Sequence, residues 1–152
     1  MAGLGGLTLT ALAVTTAMSI RSAAAPERVP TRFEIPTPPT VDPASFALSS
    51  DGRQLAFVAT TDGVRRLFVR PLDQVTARPL PGTQGATQPF WSPDSRSIGF
   101  FASGKLKKIA VAGGDPENLC DVRASRGGTW NRDGVILFAP TSNGPLFTVP
   151  AG

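Results

Sequence analysis

An all-β fold built from repeated four-stranded antiparallel sheets is what this sequence predicts, and three observations predict it. Gly (16) and Pro (15) are abundant among the 152 residues, which favours short strands cut by turns over long helices. Three turn-forming segments, SSDG at Ser49, SPDS at Ser92 and NRDG at Asn131, each join two short apolar runs rich in Phe, Ile and Leu. Their aspartates, Asp51, Asp94 and Asp133, recur at intervals of about 40 residues, the size of one blade of a β-propeller. The chain holds two such repeats and the start of a third, so the fold expected is a partial β-propeller of four-stranded antiparallel blades behind an apolar N-terminal helix.

The repeated positions have physical reasons. FALSSDGRQLAFVA from Phe46 aligns with FWSPDSRSIGFFA from Phe90 and with TWNRDGVILFAP from Thr129. Pro93 fixes a φ angle that a tight turn uses, Gly52 and Gly134 tolerate positive φ, and each Asp is placed to accept hydrogen bonds from nearby backbone N–H groups. Leu55, Phe57, Ile98, Phe100, Ile136 and Phe138 repeat on the strand after each turn, as expected of side chains buried between stacked sheets. Trp91 and Trp130, matched by Leu48 in the first repeat, are expected to do the same on the strand before it, and Leu67, Leu106 and Leu146 keep the period further on. In the second repeat the four strands are expected near Pro89–Ser92, Arg96–Ala102, Lys107–Ala112 and Glu117–Val122, with turns at PDS, SGK and GGDP.

Residues 46–152 therefore form the incomplete propeller, preceded by a linker at 21–45. The linker contains Pro26, Pro30, Pro36, Pro38, Pro39 and Pro43, which no helix can traverse, and it reads as a semi-rigid connector. Within it, TRFEIP at 31–36 alternates as a strand would and is a candidate closing strand for the last blade of a complete ring. Met1 to Ile20 carries no charged side chain and is about long enough to cross a hydrocarbon core of roughly 30 Å. Residues 1–20 are thus a candidate transmembrane helix. A secretory signal would supply the small residues Ala23, Ala24 and Ala25 for cleavage, but no Lys or Arg precedes Arg21. A soluble segment is the third alternative.

Composition removes several functions. The chain has no His, which excludes His-dependent triads and His-containing zinc sites within it, and its single cysteine, Cys120, excludes an intrachain disulfide. Cys120 follows an apolar residue and reads as a buried small hydrophobe. The formal charge of +4 comes from 15 basic and 11 acidic residues that are interspersed, so no phosphate-binding face is expected and no nucleic-acid partner. The one tight basic group, Lys105, Lys107 and Lys108, reads as a solvated strand edge.

Two motifs fail on inspection. Gly99 to Lys105 fits G-x-x-x-x-G-K, but Leu106 stands where a phosphate loop needs Ser or Thr, and the stretch runs from a strand into a hairpin. No G-x-S-x-G elbow is present to present a serine nucleophile. No catalytic, cofactor-binding or metal residue is assigned, no cofactor is expected, and the aspartates are read as structural.

WSPDSRSIGFFASGKLKKIAVAGG resembles the WD-like repeat of TolB-type β-propellers, a W-S-P-D-G-(K/R)-x-(I/L)-A-F string from which Ser95 and Gly99 depart. The likeness covers roughly Phe33 to Gly152. The order of apolar segment, Pro-rich connector and repeats is also similar to the C-terminal part of bacterial membrane-anchored serine/threonine protein kinases, whose propeller lies outside the membrane. The kinase motifs themselves are missing, since there is no D-F-G and, without His, no H-R-D. The resemblance implies a non-enzymatic, extracytoplasmic, membrane-anchored binding or sensing module, a fragment of a longer protein, meeting a protein, peptide or small ligand at the propeller face. The alternatives are the N-terminal propeller of a prolyl-oligopeptidase-type peptidase and a free periplasmic TolB-like interaction module. Because a propeller ring needs roughly four to eight blades, residues 31–152 alone are expected to be aggregation-prone or poorly folded.

Overall fold

The strands form where the apolar runs flank the turns. A computed structural model describes residues 32, 34–40, 42 and 44–152. The chain divides into two compact units, Met1–Glu34 and Ile35–Gly152. Of the first, Arg32 and Glu34 are described and are exposed; the candidate transmembrane helix at 1–20 lies outside the described residues. Among the described residues no helix is long and apolar enough to cross a membrane. Of the candidate closing strand at 31–36, Thr31 and Phe33 lie outside the described residues, and Arg32 and Glu34 to Pro36 are in no strand.

The second unit consists of three antiparallel sheets. The first contains β1 (Phe46–Leu48), β2 (Gln54–Thr61), β3 (Val64–Pro71) and β4 (Arg78–Pro79) in that order. The second repeats the pattern with β5 (Thr87–Trp91), β6 (Ser97–Ala102), β7 (Lys105–Ala110) and β8 (Glu117–Asp121). The third has β9 (Gly128–Trp130), β10 (Val135–Phe138) and β11 (Phe147–Pro150). In each sheet neighbouring strands are consecutive, so every connection is a hairpin or a short return, and the first strands of successive sheets lie side by side, β1 by β5 and β5 by β9. This all-β arrangement is that of part of a β-propeller.

Strand alternation sends side chains of each sheet to two interfaces. Ala56, Val58, Leu67 and Val69 of the first sheet pack against Trp91, Ile98, Phe100 and Ile109 of the second. The opposite face of the second sheet, with Phe90, Phe101 and Leu106, packs against Ile136 and Phe138 of the third. Burying one such side chain stabilises the fold by about 1.5–3 kcal/mol, so these two layers hold the sheets together. The connection between the first two sheets is pinned by Thr83, whose hydroxyl donates to Leu80 O at 2.6 Å and accepts from Leu67 N at 3.1 Å.

The periodic leucines follow the interfaces. Leu67 and Leu106 each face the next sheet and are fully buried, whereas Leu146 lies beside β11 and is 62% exposed. Trp91 faces back onto the first sheet and is 6% exposed; its counterpart Leu48, with no preceding sheet among the described residues, is 55% exposed instead of buried. Phe57 likewise faces away from the second sheet, and stacks on Phe68 at 5.6 Å.

Two expectations need correction. The third strand of the second repeat begins at Lys105, not Lys107, because the turn is only two residues: Ser103 (φ 52) and Gly104 (φ 71) both take positive φ, and Ala102 already pairs with Lys105. Lys105, Lys107 and Lys108 are not on a sheet edge, since β7 pairs with both β6 and β8. Lys105 forms an ion pair with Asp121, and Lys108 lies 3.2 Å from Glu117. Cys120 is half-buried, packed against the second interface, and its thiol pKa is raised first by burial and then by the neighbouring Asp121.

The departure at Gly99 also has a cause. The Phe90 ring lies directly over Gly99, in the space a β-carbon would occupy, so an alanine there displaces the ring.

Candidate functional site

The turn ends of the three sheets gather at the two junctions, and their local chemistry differs. In the first turn the Ser49 hydroxyl donates to Asp51 Oδ1 and accepts from Gln54 N, while Asp51 Oδ1 accepts from Arg53 N at 3.0 Å. The second turn repeats this: Ser92 Oγ donates to Asp94 Oδ1 at 2.6 Å, Asp94 Oδ1 accepts from Arg96 N at 3.0 Å, and Ser92 Oγ accepts from Ser97 N at 2.9 Å. The serine hydroxyl first, and the backbone N–H second, hold both aspartates below the usual carboxylate range.

The third turn departs from this scheme. Asp133 accepts no backbone hydrogen bond there; Asn131 Oδ1 accepts from Asp133 N at 3.0 Å and from Val135 N at 2.9 Å. The loop is one residue shorter, and the longer Asn side chain reaches what Ser and Asp reach together.

At the junction of the first two sheets, four hydrogen bonds tie β1 and its turn to β5 and its turn, two between the turns and two along the strands. Ser50 Oγ donates to Ser92 O at 3.1 Å, and Asp51 N donates to Ser95 Oγ at 3.1 Å. Trp91 Nε1 donates to Ala47 O at 2.9 Å, and Gln88 N donates to Ser45 Oγ at 2.7 Å.

None of the four equivalent bonds forms between the second and third sheets. Pro93 occupies the position of Ser50 and has no hydroxyl; Gly134 occupies that of Ser95 and has no side chain. Trp130, in the position of Trp91, is half-buried and makes no bond to Phe90 O. Gln88 stands in the place of Ser45 with φ 49, and its buried Oε1 has no partner among the described residues.

The unlocked junction opens as a cleft of about 550 Å³, within the range of roughly 300–1,000 Å³ common to ligand sites. Ser92, Pro93 and Asp94 form one wall, and Trp130, Asn131 and Arg132 the other. Asp94 is exposed, and Oδ1 takes the Ser92 and Arg96 bonds; Oδ2 accepts none among the described residues. Arg132 is exposed and forms no hydrogen bond or ion pair among them. The cleft is thus lined by an indole, a proline ring, a cation and an anion.

Among the described residues no group of three metal-ligating side chains converges. The G-x-x-x-x-G-K stretch runs along β6, through the Ser103–Gly104 turn and into β7, so no helix end follows it. Sequence reading missed Pro93, Trp130 and Arg132 as the walls of a cleft. The signal was present in the repeat alignment, in the columns Ser50/Pro93 and Ser95/Gly134.

Three solved structures are similar to the chain. TolB from Acinetobacter baumannii matches 68% of this chain and 28% of its own at 17% identity, with a TM-score of 0.57. The β-propeller domain of the Trilobed protease from Pyrococcus furiosus matches 70% of this chain and 39% of its own at 16% identity, with a TM-score of 0.55. A putative TolB from Agrobacterium tumefaciens matches 66% and 42% at 21% identity, with a TM-score of 0.51. The chain therefore spans less than half the length of each. No protein-family model and no curated protein matches it. What is shared at these identities is the fold, and the fold of the second unit is that of part of a TolB-like β-propeller.

Proposed function

We propose that the chain is the propeller portion of a non-catalytic, extracytoplasmic binding or sensing module, anchored in the membrane through residues 1–20 and part of a bacterial serine/threonine kinase-type receptor. The observation that carries the binding role is the cleft between the second and third sheets, where Arg132 and one carboxylate oxygen of Asp94 stand beside Trp130 without hydrogen-bond partners among the described residues. Propellers suit this work because loops from successive blades converge at one end of the fold. Anchoring is supported by the uncharged stretch Met1 to Ile20, and the kinase link by the order of segments in the sequence.

A second reading is favoured by the likeness to the propeller domain of the Trilobed protease: the chain is then the propeller of a prolyl-oligopeptidase-type peptidase. Flanking DNA separates them. A kinase reading frame upstream supports the receptor, and a G-x-S-x-G hydrolase frame downstream supports the peptidase. Fractionation of a bacterial host tests the anchor. The full chain is expected in the membrane fraction and a variant lacking residues 1–20 outside it; uncleaved full chain in the soluble fraction contradicts anchoring.

A further inference from the structure

Building on the reading of the chain as a binding module, we propose that the cleft between the second and third sheets is a saccharide site, in which a pyranose ring stacks on Trp130 and its hydroxyls replace the side-chain hydroxyls missing from this junction.

The locked junction shows what chemistry the space accepts. There Ser50 donates a hydroxyl to a backbone carbonyl, and Ser95 accepts a backbone N–H with another. In the cleft, Pro93 and Gly134 remove both hydroxyls, which leaves the Asn131 carbonyl and the Asp94 N–H without those partners. A ligand that restores both bonds must donate at one point and accept at another through small groups. Hydroxyl groups do both, and a sugar ring carries several at fixed spacing.

The walls fit the rest of such a ligand. The C–H face of a pyranose is apolar and lies flat on an aromatic ring, and Trp130 supplies an indole with its polar edge free of the bond that Trp91 makes. Asp94 Oδ2 accepts from ring hydroxyls, and the Arg132 guanidinium donates to them from the opposite side. Asp94 is held in place for this by Ser92 and the Arg96 N–H, so its orientation is set before a ligand arrives. The cleft is larger than one ring needs, which suits an oligosaccharide segment.

The test uses the full 152-residue chain, detergent-solubilised and labelled, on a glycan array and a peptide array, with calorimetric titration of any retained glycan. Retention of a pyranose oligosaccharide is expected. Trp130→Ala should weaken it about tenfold or more, the loss of one aromatic stacking contact. Because Trp130 also packs against the second interface, Arg132→Ala on the exposed wall is the companion variant, expected to weaken binding about threefold. Pro93→Ser with Gly134→Ser restores both hydroxyls and should abolish binding; no atom lies within 4 Å of a β-carbon at Gly134, and Ser95 bears a positive φ of 60 at the equivalent position, so a serine fits there at the cost of backbone strain. Absence of any retained glycan overturns the proposal, as does glycan binding that none of these variants changes. A peptide retained in a Trp130-dependent manner, with no glycan, overturns the saccharide assignment and leaves the binding module standing; silence on both arrays counts against both.

Discussion

The two sheet junctions share a repeat and differ in outcome. Both are built from an apolar strand, a turn centred on Asp, and a second apolar strand, and both bury Ile and Phe at matching positions. Yet the first is closed by four hydrogen bonds, two between its turns and two along its strands, and the second opens into a cleft. A few positions make the difference. The apolar layer sets which sheets pack together, and the hydroxyl-bearing turn residues set whether the packed sheets are sealed. Replacement of Ser by Pro or Gly at such positions costs little packing and frees polar groups for a ligand.

Substitutions that probe each junction sharpen this contrast. The largest effect is expected from Trp91→Ala, which removes a buried indole and its bond to Ala47: about 3–5 kcal/mol by urea denaturation of the full chain. Trp130→Ala at the open junction should cost only about 1–2 kcal/mol. Equal losses would break the comparison.

Gly99→Ala comes next. The added methyl group meets the Phe90 ring, and the chain should lose about 1–3 kcal/mol, partly recovered when Phe90→Leu is added. A neutral Gly99→Ala would show that the ring moves freely and that the interface is less tightly packed than described.

The turns give a smaller contrast. Asp94→Ala should cost about 1 kcal/mol through loss of its serine and backbone partners, whereas Asp133→Ala should change stability by less than about 0.5 kcal/mol. Asn131→Ala should resemble Asp94→Ala, because Asn131 carries the cap in the third turn. Thermal unfolding of the three variants orders them.

Acid titration is expected to give the smallest effect. Asp51 and Asp94 have depressed carboxyl pKa values, so each contributes stability that is present above the unfolded value of about 3.9 and lost as pH falls through the lower folded value. Both groups are exposed, and solvent screening keeps the contribution small. Asp51→Asn with Asp94→Asn should flatten the fall in unfolding temperature below pH 4; an unaltered profile would place the acid sensitivity elsewhere.

Much of this architecture is legible in the chain because periodicity reports burial directly. The alternation around Leu55 to Phe57, Ile98 to Phe100 and Ile136 to Phe138 marks the strand that faces back toward a preceding sheet. What alternation does not report is which face has a neighbour. Leu48 and Leu146 carry the same pattern as Trp91 and Leu106 and are exposed. Turn length was also hidden, because Ser103 in a left-handed conformation is not announced by residue type as a glycine is. The cleft was hidden for a related reason: it arises from what Pro93 and Gly134 lack relative to Ser50 and Ser95, and a missing hydroxyl has no motif.

The chain's two tryptophans test the central contrast directly, because one stands at each junction. Trp130→Phe leaves Trp91 as the sole reporter of the locked junction, and Trp91→Phe leaves Trp130 as that of the cleft. With acrylamide as quencher, Trp91 should emit at shorter wavelength and resist quenching, while Trp130 should emit at longer wavelength and be quenched several-fold more strongly. Equal quenching of the two would contradict the account, since it would mean that both junctions are sealed or both are open.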